Sequence, residues 1–435
     1  MDRRPTQPDQ GGLGDRVTAG AVILAALWCL MLNLQIPPGL YGWSAVNLWF
    51  DSDVGRVVNN MTIIETGHGT TFKHPIFSIT LLPPTRALLA MGLSLHQALA
   101  LILAVNAGLF AFLIDRTGHR MGLRPLDRTL LLALCLGGAG SVFWLPVPET
   151  FPFGATTLMA ALYVVTRVPA PDGRWAQAMP WAAGVVLAMS MTITNVLMVV
   201  AGGAVALVLA GSRWRKLIPS LLLGGVLGLS VLVVVALIQD AFFGEAGLFF
   251  NPFSLAREMQ FVGESEASSL TQRLQTLWLQ PIIAGAPMMP SQIALNEIGV
   301  ANTGLLADGR WPMGLVGQIA MAGWLGLIGW AGWTLIRNPW TGQEDAQRIW
   351  LTVAGFLGLN TLLHLIYGKT VFLYLAHFIG PLALTIVVPV LMQGGVRARL
   401  VVAVVAVLAI ISNTMSYLAA MGMAETLLLG LTVGS

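Results

Sequence analysis

Apolar runs long enough to cross a lipid bilayer recur along almost the whole length of this 435-residue chain. A hydrocarbon layer of about 30 Å needs roughly 20 helical residues, and a helix satisfies its own backbone hydrogen bonds in lipid. Hydrophobic side chains make up 56% of the chain and charged ones only 10%. A water-soluble core cannot hide so much apolar surface. The sequence therefore predicts an all-α integral membrane protein with a single polytopic membrane domain, residues 1–435.

The first predicted span, Val17 to Ile36, has the features of an uncleaved signal-anchor. Arg16 precedes it, and Pro37 follows it where a cleavage site would need small residues. We therefore expect a cytoplasmic N-terminus. Ten further spans are predicted, which makes eleven in all and places the C-terminus outside: 95–115, 129–146, 153–167, 178–193, 195–211, 217–240, 312–336, 349–366, 372–392 and 399–419.

The stretch from Ile76 to Leu93 is apolar enough to be a span, but it carries two prolines and Arg86 in its middle. If it crosses the membrane, the basic loops 116–128 and 213–216 both move to the outer side. That arrangement opposes the positive-inside rule. If it lies on the outer surface as a juxtamembrane helix, most of the 23 basic residues become cytoplasmic. We predict the surface arrangement, in which the basic residues serve as topology signals and indicate no nucleic-acid partner.

This topology leaves two substantial segments outside, residues 37–94 and residues 241–311. The first segment contains Asp51 and Asp53 shortly after the first span. Two residues that are two positions apart cannot share one face of a helix, so only one of them is expected to point into a site. The alternative is that both carboxylates are solvated and serve as helix caps.

The same segment continues with a pattern that carries chemical information. Asp53 and Arg56 form an Asp-x-x-Arg motif followed by Met61, and further on Lys73 and His74 precede a proline. This arrangement resembles the GT-C superfamily of membrane glycosyltransferases, notably the aminoarabinose transferases and the protein O-mannosyltransferases. The histidine between the lysine and the proline departs from the pattern of that family.

The resemblance implies a GT-C-like fold and transfer of a sugar from a polyprenyl-phosphate donor to an extracytoplasmic acceptor hydroxyl. It implies that Asp53 is the catalytic base, with Asp51 in reserve, and that Lys73 contacts the lipid phosphate. The acceptor would be a lipid, a glycan or a protein. The expected location is a bacterial inner (plasma) membrane, among membrane lipids, with the active site on its outer face.

The chemistry of such a transfer points to further residues on the outer side. A phosphate leaving group gains negative charge, which Lys or Arg donors stabilise. Besides Lys73, the candidate phosphate-binding residues are Arg56, His74 and Lys369. The candidate substrate-binding residues are Glu149, Tyr367 and Arg257. No cofactor is expected to be required, although Asp51 and Asp53 together could hold Mg²⁺ or Mn²⁺ through waters.

Three other functions remain open at this point. A lipid-linked sugar flippase or transporter needs polar residues at the middle of the membrane, whereas the span interiors here are nearly free of charge. An O-antigen ligase-like enzyme uses arginines and histidines of a large outer loop, and residues 240–311 contain no histidine. A non-catalytic assembly factor is the third alternative.

The topology is testable by cysteine labelling. We expect a cysteine introduced near position 122 to be protected from a membrane-impermeant thiol reagent in intact cells, because the basic loop 116–128 is predicted to be cytoplasmic. Labelling after permeabilisation is the control. Labelling of intact cells would contradict the eleven-span topology.

Overall fold

The chain folds into a bundle of α-helices. The computed structural model describes residues 11–42, 45, 47–65, 68–167, 173–244, 247, 256, 258–259, 261–262, 269–290, 304–307, 312, 314–337, 343–368 and 370–433. Within these residues the helices are α1 (Gly11–Asn33), α2 (Val54–Thr62), α3 (Phe77–Ala90), α4 (Leu95–Arg120), α5 (Pro125–Gly137), α6 (Ala139–Trp144), α7 (Thr150–Val165), α8 (Arg174–Met191), α9 (Leu197–Leu209), α10 (Trp214–Phe243), α11 (Leu270–Trp278), α12 (Gly314–Arg337), α13 (Glu344–Ile366), α14 (Leu375–Gln393) and α15 (Gly395–Val433). Two short strands, β1 (Pro287–Met288) and β2 (Leu306–Ala307), form an antiparallel pair.

Among the described residues, seven helical segments are long and apolar enough to cross a membrane by length and composition: 16–33, 95–120, 214–243, 314–337, 344–366, 371–393 and 395–430. Two shorter apolar helices lie at Thr150–Val165 and Ile193–Leu209. The expectation of an all-α membrane protein is confirmed. Each of the eleven predicted spans coincides with a helix or with two consecutive helices. How many of them cross the bilayer stays a prediction.

One end of the bundle, which we call the upper end, gathers the polar turns between helices. Asn33, the last residue of α1, donates to the carbonyl of Pro146 at 2.6 Å. A few residues further on, the carbonyl of Gly154 accepts from Asn195, which lies between α8 and α9, at 3.1 Å. The end of α1, the start of α7 and the turn after α8 therefore lie together.

Helix α3 begins and ends at this upper end. The amide of Ile76 donates to the carbonyl of Ser190 near the end of α8, at 3.0 Å. Beyond the other end of α3, the His96 ring bonds the carbonyl of Asn33 at 3.2 Å. With 14 residues, α3 is about 21 Å long. It therefore does not run from one end of the bundle to the other. The position of residues 76–93 on the outer membrane surface stays a prediction.

The lower end carries one buried and one partly buried ion pair. Asp115 on α4 accepts from the hydroxyl of Thr18 on α1 at 2.7 Å and from Arg128 on α5 at 3.3 Å. Asp127 binds Arg399 at the start of α15, with a shortest contact of 2.6 Å. Buried charges persist in proteins when they are paired in this way. These bonds fasten α1, α4, α5 and α15 to one another, far from the polar turns at the upper end.

Part of the segment predicted as the second outer loop is buried within the bundle. Helix α5 ends at Gly137 and α6 starts at Ala139, so the peptide groups near Gly138 lack helical partners. The amides of Ala139 and Gly140 donate instead to the carbonyls of Ile282 and Pro281, at 3.2 and 2.9 Å. A Cβ atom at position 138 would lie only 2.9 Å from the Pro281 carbonyl oxygen. Because Gly138 has no side chain, the backbone at Pro281 can approach the break closely.

Asn413 completes this junction from the middle of α15. Its amide nitrogen donates to the carbonyls of Gly137 and Ile282 at 2.8 and 2.7 Å, and its carbonyl oxygen accepts from the amide of Ala284 at 2.9 Å. The side chain is completely buried. Non-helical backbone at membrane depth is tolerated only where protein groups satisfy it. Asn413 therefore makes the re-entry of residues 281–284 possible.

We predict that Asn413→Ala lowers the free energy of unfolding by about 1–3 kcal/mol, because it strands buried backbone groups without partners. Thermal unfolding of the purified protein in detergent measures the change. Thr426→Ala is the matched control on the same helix, since the exposed Thr426 hydroxyl bonds only the carbonyl of Gly422. Equal stability of the two variants would contradict the role given to Asn413.

Candidate functional site

The first outer segment starts with a tight turn in an unusual backbone conformation. Asn47, Phe50 and Asp51 have φ angles of 71°, 50° and 58°. The left-handed region costs non-glycine residues of order 1–3 kcal/mol each, and it persists where surrounding contacts over-determine it. Such contacts are present, since the Trp49 and Phe50 rings are buried and both contact Phe143. The packed aromatic rings hold the turn that leads into the acidic motif.

The turn directs its two carboxylates to different partners. Asp51 accepts a hydrogen bond from the hydroxyl of Thr370 at 2.5 Å. Asp53 immediately precedes α2 and forms an ion pair with Arg56 one turn along that helix. The Asp53 side chain is 41% exposed, and that of Arg56 is 16% exposed. Asp53 is thus a held but accessible carboxylate, and the adjacency of Asp53 and Arg56 follows from their i, i+3 spacing.

Arg56 also links the acidic motif to the lysine turn. Its guanidinium donates to the hydroxyl of Thr70 at 2.7 Å, and the amide of Lys73 donates to the carbonyl of Thr70 at 2.9 Å. The carbonyl of Lys73 accepts in turn from the amide of Ile193, in the turn between α8 and α9, at 3.1 Å. The carboxylate of Asp53 and the ammonium of Lys73 therefore belong to one connected part of the upper end.

Glu149 is buried directly beneath the acidic motif. One carboxylate oxygen accepts from the backbone amide of Asp53 at 3.1 Å, and the other accepts from the amide and the hydroxyl of Thr150. Burial, and then the nearby Asp53 carboxylate, raise the pKa of Glu149. In this geometry Glu149 positions the main chain of Asp53. Its predicted contact with a sugar hydroxyl stays a prediction.

Lys73 meets an acid from the second outer segment. Its ammonium lies 2.7 Å from a carboxylate oxygen of Glu258 and about equally far, 5.5 and 5.6 Å, from the ring centres of Phe72 and Phe261. The hydroxyl of Tyr367 donates to the other oxygen of Glu258 at 2.5 Å. The structure thus brings two predicted site residues, Lys73 and Tyr367, together through a third that sequence reasoning missed.

Residues 258–259 and 261–262, which we call the Glu258 strap, are fastened beside this lysine. Val262 pairs with Tyr367 in an antiparallel bridge, and the amide of Gly368 donates to the carbonyl of Phe261 at 3.2 Å. The sequence around Glu258 has no clear periodicity, so no local signal marked this acid as a partner of Lys73. The strap therefore places a negative charge directly against the ammonium group of the lysine that is the proposed phosphate ligand.

His74 is engaged by the main chain at the end of α8. It is 9% exposed, and its Nδ1 atom bonds the carbonyl of Met191 at 2.5 Å. Burial, reinforced by the charge of Arg56, lowers the pKa of His74 to about 3. A neutral ring bonded to the main chain brings no positive charge to a phosphate. In this geometry His74 joins the lysine turn to the end of α8, and its predicted contact with a phosphate stays a prediction.

Two predicted site residues, Lys369 and Arg257, lie outside the described residues. Within the described part of the chain, no three or more His, Cys, Asp or Glu side chains are grouped so that they could hold a metal ion. Asp51 and Asp53 are engaged by Thr370 and Arg56 respectively. The Mg²⁺ or Mn²⁺ ion considered between them stays a prediction.

Comparison with known proteins adds no relative. No protein-family model matches the chain, and no curated protein and no solved structure matches it either. The resemblance to the GT-C superfamily therefore rests on the motifs within residues 17–165 and on the layout of the predicted spans.

The ion pair between Lys73 and Glu258 yields two predictions of opposite sign. We expect Lys73→Ala to weaken binding of a short-chain prenyl phosphate strongly, because it removes a charge-assisted bond. We expect Glu258→Gln to strengthen that binding by up to about tenfold, or about 1.4 kcal/mol, because the lysine loses a competing carboxylate. Calorimetric titration of the purified protein measures both.

Glu65→Gln is the control for Glu258→Gln, because Glu65 is an exposed acid of the first outer segment, which also carries Lys73. If the Lys73→Ala variant binds prenyl phosphate as tightly as the parent, Lys73 is an interfacial anchor only. If Glu258→Gln changes affinity no more than Glu65→Gln does, the strap does not compete for the lysine.

Proposed function

We propose that this protein is a membrane glycosyltransferase that moves a sugar from a polyprenyl-phosphate donor to an acceptor hydroxyl on a lipid, a glycan or a protein. The proposed site is the group formed by Asp53, Arg56 and Lys73, and the proposed location is the outer face of a bacterial inner membrane. The GT-C-like fold belongs to the same proposal.

A single observation carries the proposal. At the upper end of an apolar helix bundle, an accessible carboxylate lies beside Arg56, and Arg56 is joined through Thr70 to the turn that holds Lys73. A lipid-linked donor keeps its tail in the hydrocarbon layer and presents its phosphate and sugar at the boundary with water. An acid beside two cations suits that position, because the acid can accept a proton while the cations receive a phosphate.

The proposed step balances without any further reactant. The Asp53 carboxylate takes the proton of the acceptor hydroxyl as the hydroxyl oxygen attacks the anomeric carbon of the sugar. The bond between that carbon and the phosphate oxygen breaks, and its electron pair leaves with the phosphate. The products are the glycosylated acceptor, polyprenyl phosphate and a protonated Asp53, which returns its proton to solvent.

The neighbouring groups support these roles by their charge. Arg56 orients the Asp53 carboxylate before the reaction through their ion pair. Glu149 holds the main chain of Asp53 from below. Lys73 stabilises the negative charge that develops on the leaving phosphate once the donor displaces Glu258. Asp51 is the reserve base, and one of its oxygens accepts from the hydroxyl of Thr370.

We predict that Asp53→Asn reduces transfer by about 10²–10⁴-fold, the usual effect of removing a positioned base, while donor binding and thermal stability remain near parental values. A reconstituted assay with a polyprenyl-phosphate sugar and a hydroxyl acceptor measures turnover, and calorimetry measures donor binding. Asp51→Asn is expected to have a milder effect.

Asp240→Asn is the matched control, because Asp240 is an exposed acid at the end of α10 and is not part of the acidic motif. Parental turnover of Asp53→Asn would contradict the mechanism. If that variant and the parent both move lipid-linked sugar across the vesicle membrane without forming a glycosylated acceptor, the protein is a transporter.

A further inference from the structure

We propose that a cavity on the flank of α11 and α12 binds the uncharged, hydroxyl-bearing headgroup of a membrane amphiphile such as a glycolipid. The cavity has a volume of about 590 Å³ and lies between the N-terminal part of α12 and the outward side of α11. Cavities of about 300–1,000 Å³ are typical of small-molecule sites. This inference does not rest on the transferase reaction.

Helix α11 has two unlike faces. One face packs against the bundle, and the other lines this cavity. On the inward face, the guanidinium of Arg273 donates to the carbonyls of His364 and Gly368 at 2.9 and 3.0 Å, and Leu277 is fully buried. The outward face presents Gln272 and Gln275 to the cavity. The only arginine of this helix is therefore committed to the bundle and is turned away from the cavity.

The polar wall of the cavity consists of carboxamides and hydroxyls. Gln272, Gln275 and Gln280 line it together with two short hydroxyl side chains, and no charged residue is among the described residues that line it. Each carboxamide offers both a donor and an acceptor, as a sugar hydroxyl does. A phosphate group would instead be expected to meet Lys or Arg. The lining thus favours a neutral headgroup over an anionic one.

The polar wall is also held in place. The Ser269 hydroxyl accepts from the amide of Gln272 at 3.3 Å, and the Gln272 side chain accepts from the amide of Ser269 at 2.8 Å. This reciprocal capping box sets the first turn of α11. At the other end of the helix, the indole of Trp324 on α12 donates to the carbonyl of Trp278 at 3.1 Å. The two walls of the cavity are therefore fixed relative to each other.

The opposite wall is apolar and continues onto the outer surface of α12. Met321 and Leu325 line the cavity, and Leu325 is 50% exposed on the side of the helix that faces away from the bundle. In a membrane that side faces lipid. An alkyl chain can lie along α12 while its headgroup enters the cavity between the carboxamides. The two unlike walls are the feature that points to an amphiphile and not to a water-soluble sugar.

The test compares two photoreactive probes with the same alkyl chain, one carrying a glucoside headgroup and the other a phosphate. The full-length protein in amphipol is irradiated with each probe, and mass spectrometry measures the labelling of residues 314–337. We expect the glucoside to label this peptide with saturation and to be displaced by an unlabelled glycosyl diacylglycerol. We expect the phosphate probe to label it weakly.

Two variants and one control make the test specific. Leu325→Trp fills the mouth of the cavity, and Gln275→Leu removes one carboxamide at similar size; each is expected to reduce glucoside affinity by about tenfold. Leu222→Trp, at a 66% exposed leucine of α10, is expected to leave it unchanged. Equal saturable labelling by both probes would overturn the neutral-headgroup assignment. Parental affinity of both Leu325→Trp and Gln275→Leu would show that the cavity is not the site.

Discussion

Both candidate sites depend on a short piece of irregular backbone that is held inside the helix bundle. Backbone amides and carbonyls away from water must find partners, and a loop has no internal ladder to supply them. Residues 281–284 find theirs in the helix break at Gly138 and in the side chain of Asn413. Because this junction fixes the chain just after α11, it also fixes the orientation of α11 relative to the bundle.

From that anchor the second outer segment reaches the first one by a series of polar contacts. Arg273 of α11 holds the carbonyls of His364 and Gly368, and the same loop carries Tyr367, which bonds Glu258. Glu258 then holds Lys73. On the far side of the re-entrant segment, the amide of Leu305 donates to the carbonyl of Leu48 in the strained turn. The two outer segments therefore form one structure over the bundle.

The site was partly predictable from the sequence. The pairing of Asp53 with Arg56 is local and follows from helical spacing, so the sequence was sufficient to propose it. The pairing of Lys73 with Glu258 joins residues far apart in the chain, and no periodic pattern around Glu258 predicts this contact. For His74 the residue type suggested a cation, but burial against the Met191 carbonyl keeps the ring neutral. Burial is a property of the fold, and it overrode the intrinsic chemistry of the side chain.

The sequence by itself determined that this chain is a helical membrane protein, because the length of an apolar run and the bilayer thickness are compared locally, one segment at a time. It also located the acidic motif and the lysine turn on the same side as α3. Only the tertiary structure decided that residues 281–284 re-enter the bundle, that Glu149 supports the main chain of Asp53, and that α11 presents carboxamides to a cavity on its outward side. These features arise because each buried polar group must find a hydrogen-bond partner within about 3 Å. The packing of the helices determines which partner that is.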